Sequence, residues 1–304
     1  MKLKVILAIG IMAVLSTQVL AQSPLWQGKG RIVISSDGNE HDHDDWAATP
    51  LSLSLIAAKG LQNKLTLYTY SDHIWGSNQD HPNNHGMSAY EHMKESALGG
   101  GKMFGFDNTK FICAVDNAEV AYKAMVDEIN KSSESDPLII VAAGPMQVVG
   151  EAINRSDVEK RKYVTVLSHS GWNNRHADAS EKKWWDVHTG WTFAEMMKEF
   201  EPKKNGGVKF VQILDQNNGK DYVGLNAPIE FFDWIKTSSA RNNPLYKKGS
   251  WDWLYERIAT CKKSKGKNFD PSDAGMIIYL FTGIEKTHPN MAKDIMENPQ
   301  PKIN

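Results

Sequence analysis

Five short apolar runs, separated by stretches of helical periodicity, constrain this fold more than any other feature of the chain. They read RIVISS (31–36), KLTLYTYS (64–71), LIIVAAG (138–144), YVTVLSHS (163–170) and VKFVQIL (208–214). Runs that stay largely apolar, instead of alternating with polar residues, are the pattern of strands covered on both faces. Between two of them lies AEVAYKAMVDEINK, in which Ala118, Ala121, Tyr122, Met125 and Ile129 recur at helical spacing. Strands alternating with helices specify an α/β protein, a mostly parallel, Rossmann-like sheet flanked by helices. No internal repeat or Pro-, Gly- or Ser-rich linker divides the sequence, so residues 22–304 read as a single domain.

The first 21 residues stand apart. Lys2 and Lys4 precede the apolar run VILAIGIMAVL, and STQVLA leads to Gln22, the layout of a cleaved secretory signal. The run is shorter than the roughly 20 apolar residues that span a bilayer. The expected location is secreted or periplasmic, with no membrane contact once the signal is removed. A net charge of −1 with no basic stripe argues against nucleic acid as a partner. The 2 cysteines, Cys113 and Cys261, could form a disulfide in an exported protein or remain buried thiols.

Ligands of open parallel sheets bind beyond the carboxyl ends of the strands. Directly after the first run comes DGNEHDHDDWAA, which sets Asp37, Asp42, Asp44 and Asp45 within nine positions. Converging carboxylates repel one another unless a cation or protons neutralise them. Oxygen ligands favour Ca²⁺ or Mg²⁺, whereas His41 and His43 would favour Zn²⁺. A helix is expected from about Asp45, which can cap its free N–H groups, with Pro50 near the first turn and Leu51 and Leu55 turned inward.

The loop resembles two families. HDHDDW is similar to the metal signature of metallo-β-lactamase-like zinc hydrolases at His41, His43 and Asp45, but Trp46 stands where a third histidine belongs. DGNEHDHDD more closely resembles the nucleoside hydrolase family, in particular its secreted branch, in which Asp-Gly ends the first strand and Asp-Asp opens the next helix. Two further segments carry that second resemblance. LIIVAAGPMQVVGEAI is similar to a strand ending in Gly-Pro, before which a backbone carbonyl, here that of Ala143, binds calcium. DPSDAGMIIYLFTG is similar to the family's late aspartate, placed on Asp273 with Asp270 as the fallback. The histidine that usually precedes this aspartate is Ser272 here.

The resemblance implies a Ca²⁺-dependent hydrolase of N-ribosidic or related glycosidic bonds, with Zn²⁺ the less favoured metal. Asp37, Asp42, Asp45, Asp273 and the Ala143 carbonyl would hold the ion, Asp37 would also act as general base, and Asp44 would bind a sugar hydroxyl. Two polar, aromatic loops at strand ends supply further candidates: Asp72, Trp75 and Asn78 in the first, Trp172, Asn173 and Asn174 in the second, for contacts to a sugar or nucleoside-like substrate. Trp185 and Trp191 are further stacking candidates. Among the histidines of these loops, His73, His81, His85, His169, His176 and His188, the one directly after the strand expected in the fourth run, His169, is the first choice for protonating the leaving group. A sugar-binding protein that keeps the calcium cage without turnover is the non-enzymatic alternative, and a second copy of the chain is an open partner.

Overall fold

The computed structural model of the protein describes residues 23–38, 44–75, 87–177, 188–217, 223–262 and 268–303. In chain order its strands are β1 (Arg31–Ser36), β2 (Leu65–Tyr70), β3 (Lys110–Cys113), β4 (Leu138–Ala143), β5 (Val164–Ser168) and β6 (Lys209–Gln212), followed by the short pair β7 (Ala227–Pro228) and β8 (Asn268–Phe269). The helices are α1 (Asp45–Ala58), α2 (Ala89–Lys94), α3 (Gly100–Phe104), α4 (Ala118–Asn130), α5 (Gln147–Arg155), α6 (Val158–Arg161), α7 (Gly171–Arg175), α8 (Phe193–Glu199), α9 (Trp234–Thr237), α10 (Ser250–Ala259), α11 (Gly275–Thr282) and α12 (Pro289–Glu297).

β1 to β6 form one parallel sheet in the order β3-β2-β1-β4-β5-β6, and β7 and β8 pair antiparallel. The α/β, Rossmann-like architecture expected from the runs is therefore present. All five runs are strands, and the structure adds a sixth, β3, which sequence reading passed over. Its four residues, KFIC, are exposed to buried in the order of an edge strand, too short and too polar at the start to stand out.

Alternation along β1 and β4 divides the interior into two apolar clusters. Ile32, Ile34, Ile139, Val141 and Ala143 face one side with α1, α10 and α11, while Val33, Leu138, Ile140 and Ala142 face the other with α4 and α5. α1 is buried along its whole length. Each of its leucines removed from water contributes about 1.5–3 kcal/mol, so this helix is an axle of the first cluster and not an amphipathic surface helix with one inward side.

Pro50 lies inside α1, where it cannot donate to the carbonyl of Trp46 one turn earlier. That carbonyl accepts the Ser96 hydroxyl instead, at 2.6 Å, and the Arg257 guanidinium donates in turn to Ser96 Oγ at 2.7 Å. The break in the helical ladder is thereby closed from outside. The helix starts at Asp45 as expected, but the cap position falls one residue earlier, on Asp44, whose side chain does not cap. Both carboxylates are left for other partners.

The order of strands reverses between β1 and β4, so the crevice at their carboxyl ends is where an open α/β sheet receives a ligand. Register brings Ser36 opposite Ala143, which places Asp37 and Gly144 side by side at that point. Among the described residues no helix is long and apolar enough to cross a membrane. Cys113 and Cys261 are buried and form no disulfide with each other, so of the two states left open by the sequence the structure has buried thiols.

Candidate functional site

Asp37 leaves β1 with its backbone N–H donated to the carbonyl of Ala143 at 3.2 Å. Its side chain is then fixed at both oxygens: Gly38 N–H donates to Oδ1 at 2.6 Å, and the Trp172 indole N–H donates to Oδ2 at 3.1 Å. Gly38 has φ +98°, and a Cβ there would lie 2.2 Å from Met93. The glycine after Asp37 is thus required twice, by conformation and by space.

From the start of α1, Asp44 and Asp45 turn back toward Asp37. One carboxylate oxygen from each of the three lies within 4.8 Å of the others, and all three side chains are buried. Asp45 is 1% exposed. Burial, then the charges of Asp273 and Asp37, push its carboxyl well above the ordinary aspartate range. Its Oδ2 has no hydrogen-bond partner among the described residues. An orphaned oxygen in a buried carboxylate cluster costs several kcal/mol unless something cationic or protic meets it.

The late segment reaches the same place. Asp273 sits in a short 3₁₀ turn, Ser272–Ala274, ahead of α11, and its charge acts on both Asp45 and Asp72. Ser272 Oγ donates to Asp44 Oδ2 at 3.4 Å. The fallback, Asp270, is engaged elsewhere: its N–H donates to Cys261 Sγ and its Oδ2 accepts from Asn226. Of the two alternatives, Asp273 is the one whose charge acts on Asp45, while the group within 4.8 Å consists of Asp37, Asp44 and Asp45.

Asp72 follows β2 and is completely buried. Ser35 Oγ donates to its Oδ2 at 2.5 Å, while Oδ1 has no partner among the described residues. Burial and the neighbouring charge of Asp37 raise its pKa well above the usual value. Gly144 permits this approach, since a Cβ there would be 2.3 Å from Asp72 Oδ1 and 3.0 Å from the Asp37 nitrogen.

His169, next after β5, is buried with its Nε2 against Asp273 Oδ1. Burial alone would favour the neutral ring, but Asp273 and Asp215 outweigh it and push the pKa up to about 9. The Gln216 backbone N–H lies 3.2 Å from Nδ1, where only the neutral ring accepts it. Uptake of the second proton, which the two carboxylates favour, makes Nδ1 a donor with Asp215 at 3.6 Å, while Nε2–H faces Asp273 in both states.

Of the remaining expected contacts, Asn173 and Asn174 are buried in α7, Asn174 accepts the Ser168 hydroxyl at 2.6 Å, and the Nδ2 of each asparagine has no partner among the described residues. Trp172 orients Asp37, a role its position in sequence did not reveal. Trp75 stacks on His188 with ring centroids 4.4 Å apart. Trp191 donates to Glu151 at 3.2 Å, away from the acidic cluster. Asp42, Asn78, His41, His43, His81, His85 and Trp185 lie outside the described residues, as does the N-terminal segment 1–22.

Among the described residues two non-glycines adopt positive φ, Ser71 at 52° and Ser170 at 71°. Ser71 directly follows β2, and Ser170 stands two residues beyond the end of β5. Such conformations cost about 1–3 kcal/mol each and collect at functional edges.

Fold and site together define a parallel α/β protein with a buried acidic centre at its topological switch point. A comparison with protein-family models finds no match. The chain is 32% identical over 271 residues to an uncharacterized protein, P22, of Formosa agariphila, covering 86% of this chain and 87% of that one. It belongs to the family of that protein.

Proposed function

We propose that the protein is a calcium-dependent hydrolase of N-ribosidic or related glycosidic bonds, acting after export on a small sugar or nucleoside-like molecule. The observation that carries this reading is the convergence of Asp37, Asp44 and Asp45, one oxygen of each within 4.8 Å of the others, with Asp273 close enough to act on Asp45 across more than two hundred positions of sequence. The donor set fits the ion: all are hard oxygens, one of them, Asp45 Oδ2, lacks a partner among the described residues, and the Ala143 carbonyl lies beside Asp37. Asp37, Asp45, Asp273 and the Ala143 carbonyl would hold calcium, which when bound supplies charge to orient vicinal hydroxyls and to acidify a water.

The chain's own groups then have separable tasks. Asp37, clamped by the Gly38 amide and the Trp172 indole, is oriented to take a proton as general base. Asp44, aligned by Ser272, accepts from a sugar hydroxyl. The carboxylates offset the positive charge that an oxocarbenium-like transition state develops at the anomeric carbon. His169 holds its proton on Nε2 against Asp273, so it orients that carboxylate and is the proton-bearing group in contact with the acidic set.

Purified protein incubated with inosine, uridine and aryl glycosides, with calcium or chelator, tests the reading. Release of free base or aryl alcohol that needs calcium and is abolished in Asp37→Asn, with the fold retained by circular dichroism, is the expected result. Rates unchanged by that substitution would overturn it. Sugar binding without turnover would favour the non-enzymatic reading, to which Ser272, standing where the nucleoside hydrolase resemblance expects a histidine, lends support.

A further inference from the structure

Three imidazoles at the same sheet edge remain outside the acidic centre. His73 follows β2, His176 caps the carboxyl end of α7, and His188 precedes α8. One ring nitrogen from each lies within 4.8 Å of the other two. His73 and His176 are 2% exposed and His188 is partly exposed. We propose that these three histidines form a second metal site, for a divalent transition ion of the zinc class, distinct from the carboxylate centre.

Donor chemistry selects the ion. The group is all imidazole, with no carboxylate in it, a set that disfavours calcium and magnesium and suits Zn²⁺, Co²⁺, Ni²⁺ or Cu²⁺. Spacing is compatible as well. Nitrogens bound at about 2.0–2.1 Å to a tetrahedral ion sit roughly 3.3 Å apart. The Nε2 atoms of His73 and His176 are 2.7 Å apart, so the pair opens by about half an ångström to admit an ion. A single shared proton accounts for two ring nitrogens at that separation. It leaves out the third ring nitrogen, which lies within 4.8 Å of the other two and would supply an ion's next ligand after a shift of at most about 1.5 Å.

The rings are braced. Trp75 stacks on His188 at 4.4 Å, with 10° between planes, and presents its edge to His73 at 5.3 Å; Trp172 packs on His176 at 4.2 Å. The two strained serines, Ser71 and Ser170, stand just before the segments that carry His73 and His176. Backbone strain and indole packing together hold the trio in place before any ion arrives, which lowers the ordering cost of binding. Three protein ligands leave a fourth position open, on the partly exposed side of His188, the arrangement of an ion that engages water or substrate and not of a closed structural site. Trp172 joins the two centres, because the same indole that donates to Asp37 packs on His176. The inference does not rest on the glycosidase reading, since none of its three ligands belongs to the carboxylate set.

The test titrates Co²⁺ into tag-free, chelator-treated full-length protein and follows visible absorption. Expected are one equivalent bound, the intense bands of four- or five-coordinate Co²⁺, displacement by Zn²⁺ and none by excess Ca²⁺. His188→Gln, at a partly exposed position that tolerates exchange, and His73→Gln should each weaken binding at least tenfold, while Asp45→Asn leaves the bands in place. Absence of such bands, their persistence in the histidine variants, or their loss in Asp45→Asn or in a His41→Gln/His43→Gln protein would overturn the assignment. Crystals of the unaltered protein soaked in Zn²⁺ give an answer that needs no substitution: an anomalous peak among the three rings supports the site, and peaks only elsewhere refute it.

Discussion

Replacing Asp45 by asparagine should stabilise the protein in chelator and destabilise it, relative to wild type, in calcium. Two carboxylate charges no more than 4.8 Å apart repel by at least about 3.5 kcal/mol at an effective dielectric near 20. The substitution removes two of the three pairs formed by Asp37, Asp44 and Asp45. Wild type escapes part of that cost by taking up a proton, as the raised pKa of Asp45 indicates, so the net gain expected without cation is about 1–3 kcal/mol, or roughly 2–6 °C in Tm. In calcium the order inverts, because wild type gains about 4.1 kcal/mol at a thousandfold excess over Kd while the variant has lost a ligand. Thermal melts of both proteins, with chelator and with calcium, read all four states. The dependence on pH has a defined sign. A carboxyl whose folded pKa lies above the unfolded value binds its proton more tightly in the native state, so its penalty is full above the folded pKa and disappears below the unfolded value near 3.8. The advantage of the asparagine variant in chelator should therefore shrink as pH falls. A variant less stable than wild type in chelator, or a calcium shift equal in both, would refute an apo site dominated by carboxylate repulsion.

Three other perturbations follow from local geometry. Gly144→Ala inserts a methyl against Asp72 Oδ1 and the Asp37 amide, and is expected to weaken calcium binding more than tenfold by calorimetry with a smaller loss of thermal stability than a core truncation. Ser96→Ala removes the donor that closes the gap left by Pro50 and the acceptor for Arg257, at a cost of about 1–3 kcal/mol in denaturant melts. Glu128 is buried, which would raise its pKa, but Lys131, Thr66 and Arg31 hold it below the usual range. Glu128→Gln should cost about 1–3 kcal/mol at neutral pH, and this difference from wild type should vanish as pH falls through the lowered folded pKa, because a depressed carboxyl contributes stability only above it.

What was legible in the sequence is what one strand or helix decides by itself. β1 and β4 could be read because burial on both faces demands an unbroken apolar run; β3 could not, because an edge strand of four residues demands none. Asp37, Asp44 and Asp45 were visible as a group since one loop carries them, and the apolar helix after Asp273 marked its position. Which side chains meet is decided by register and by turns of single residues. Ser36 opposite Ala143 brings the Asp37 amide onto a carbonyl more than a hundred positions away, and nothing local specifies that pairing. The histidine trio is the sharper case. His73, His176 and His188 were each visible as polar residues near strand ends, yet their convergence depends on Ser71 and Ser170 turning the chain at positive φ, a conformation that serine does not advertise as glycine would. A strained turn written with an ordinary residue hides its geometry from the sequence, and the groups it delivers come into view only once the backbone is known.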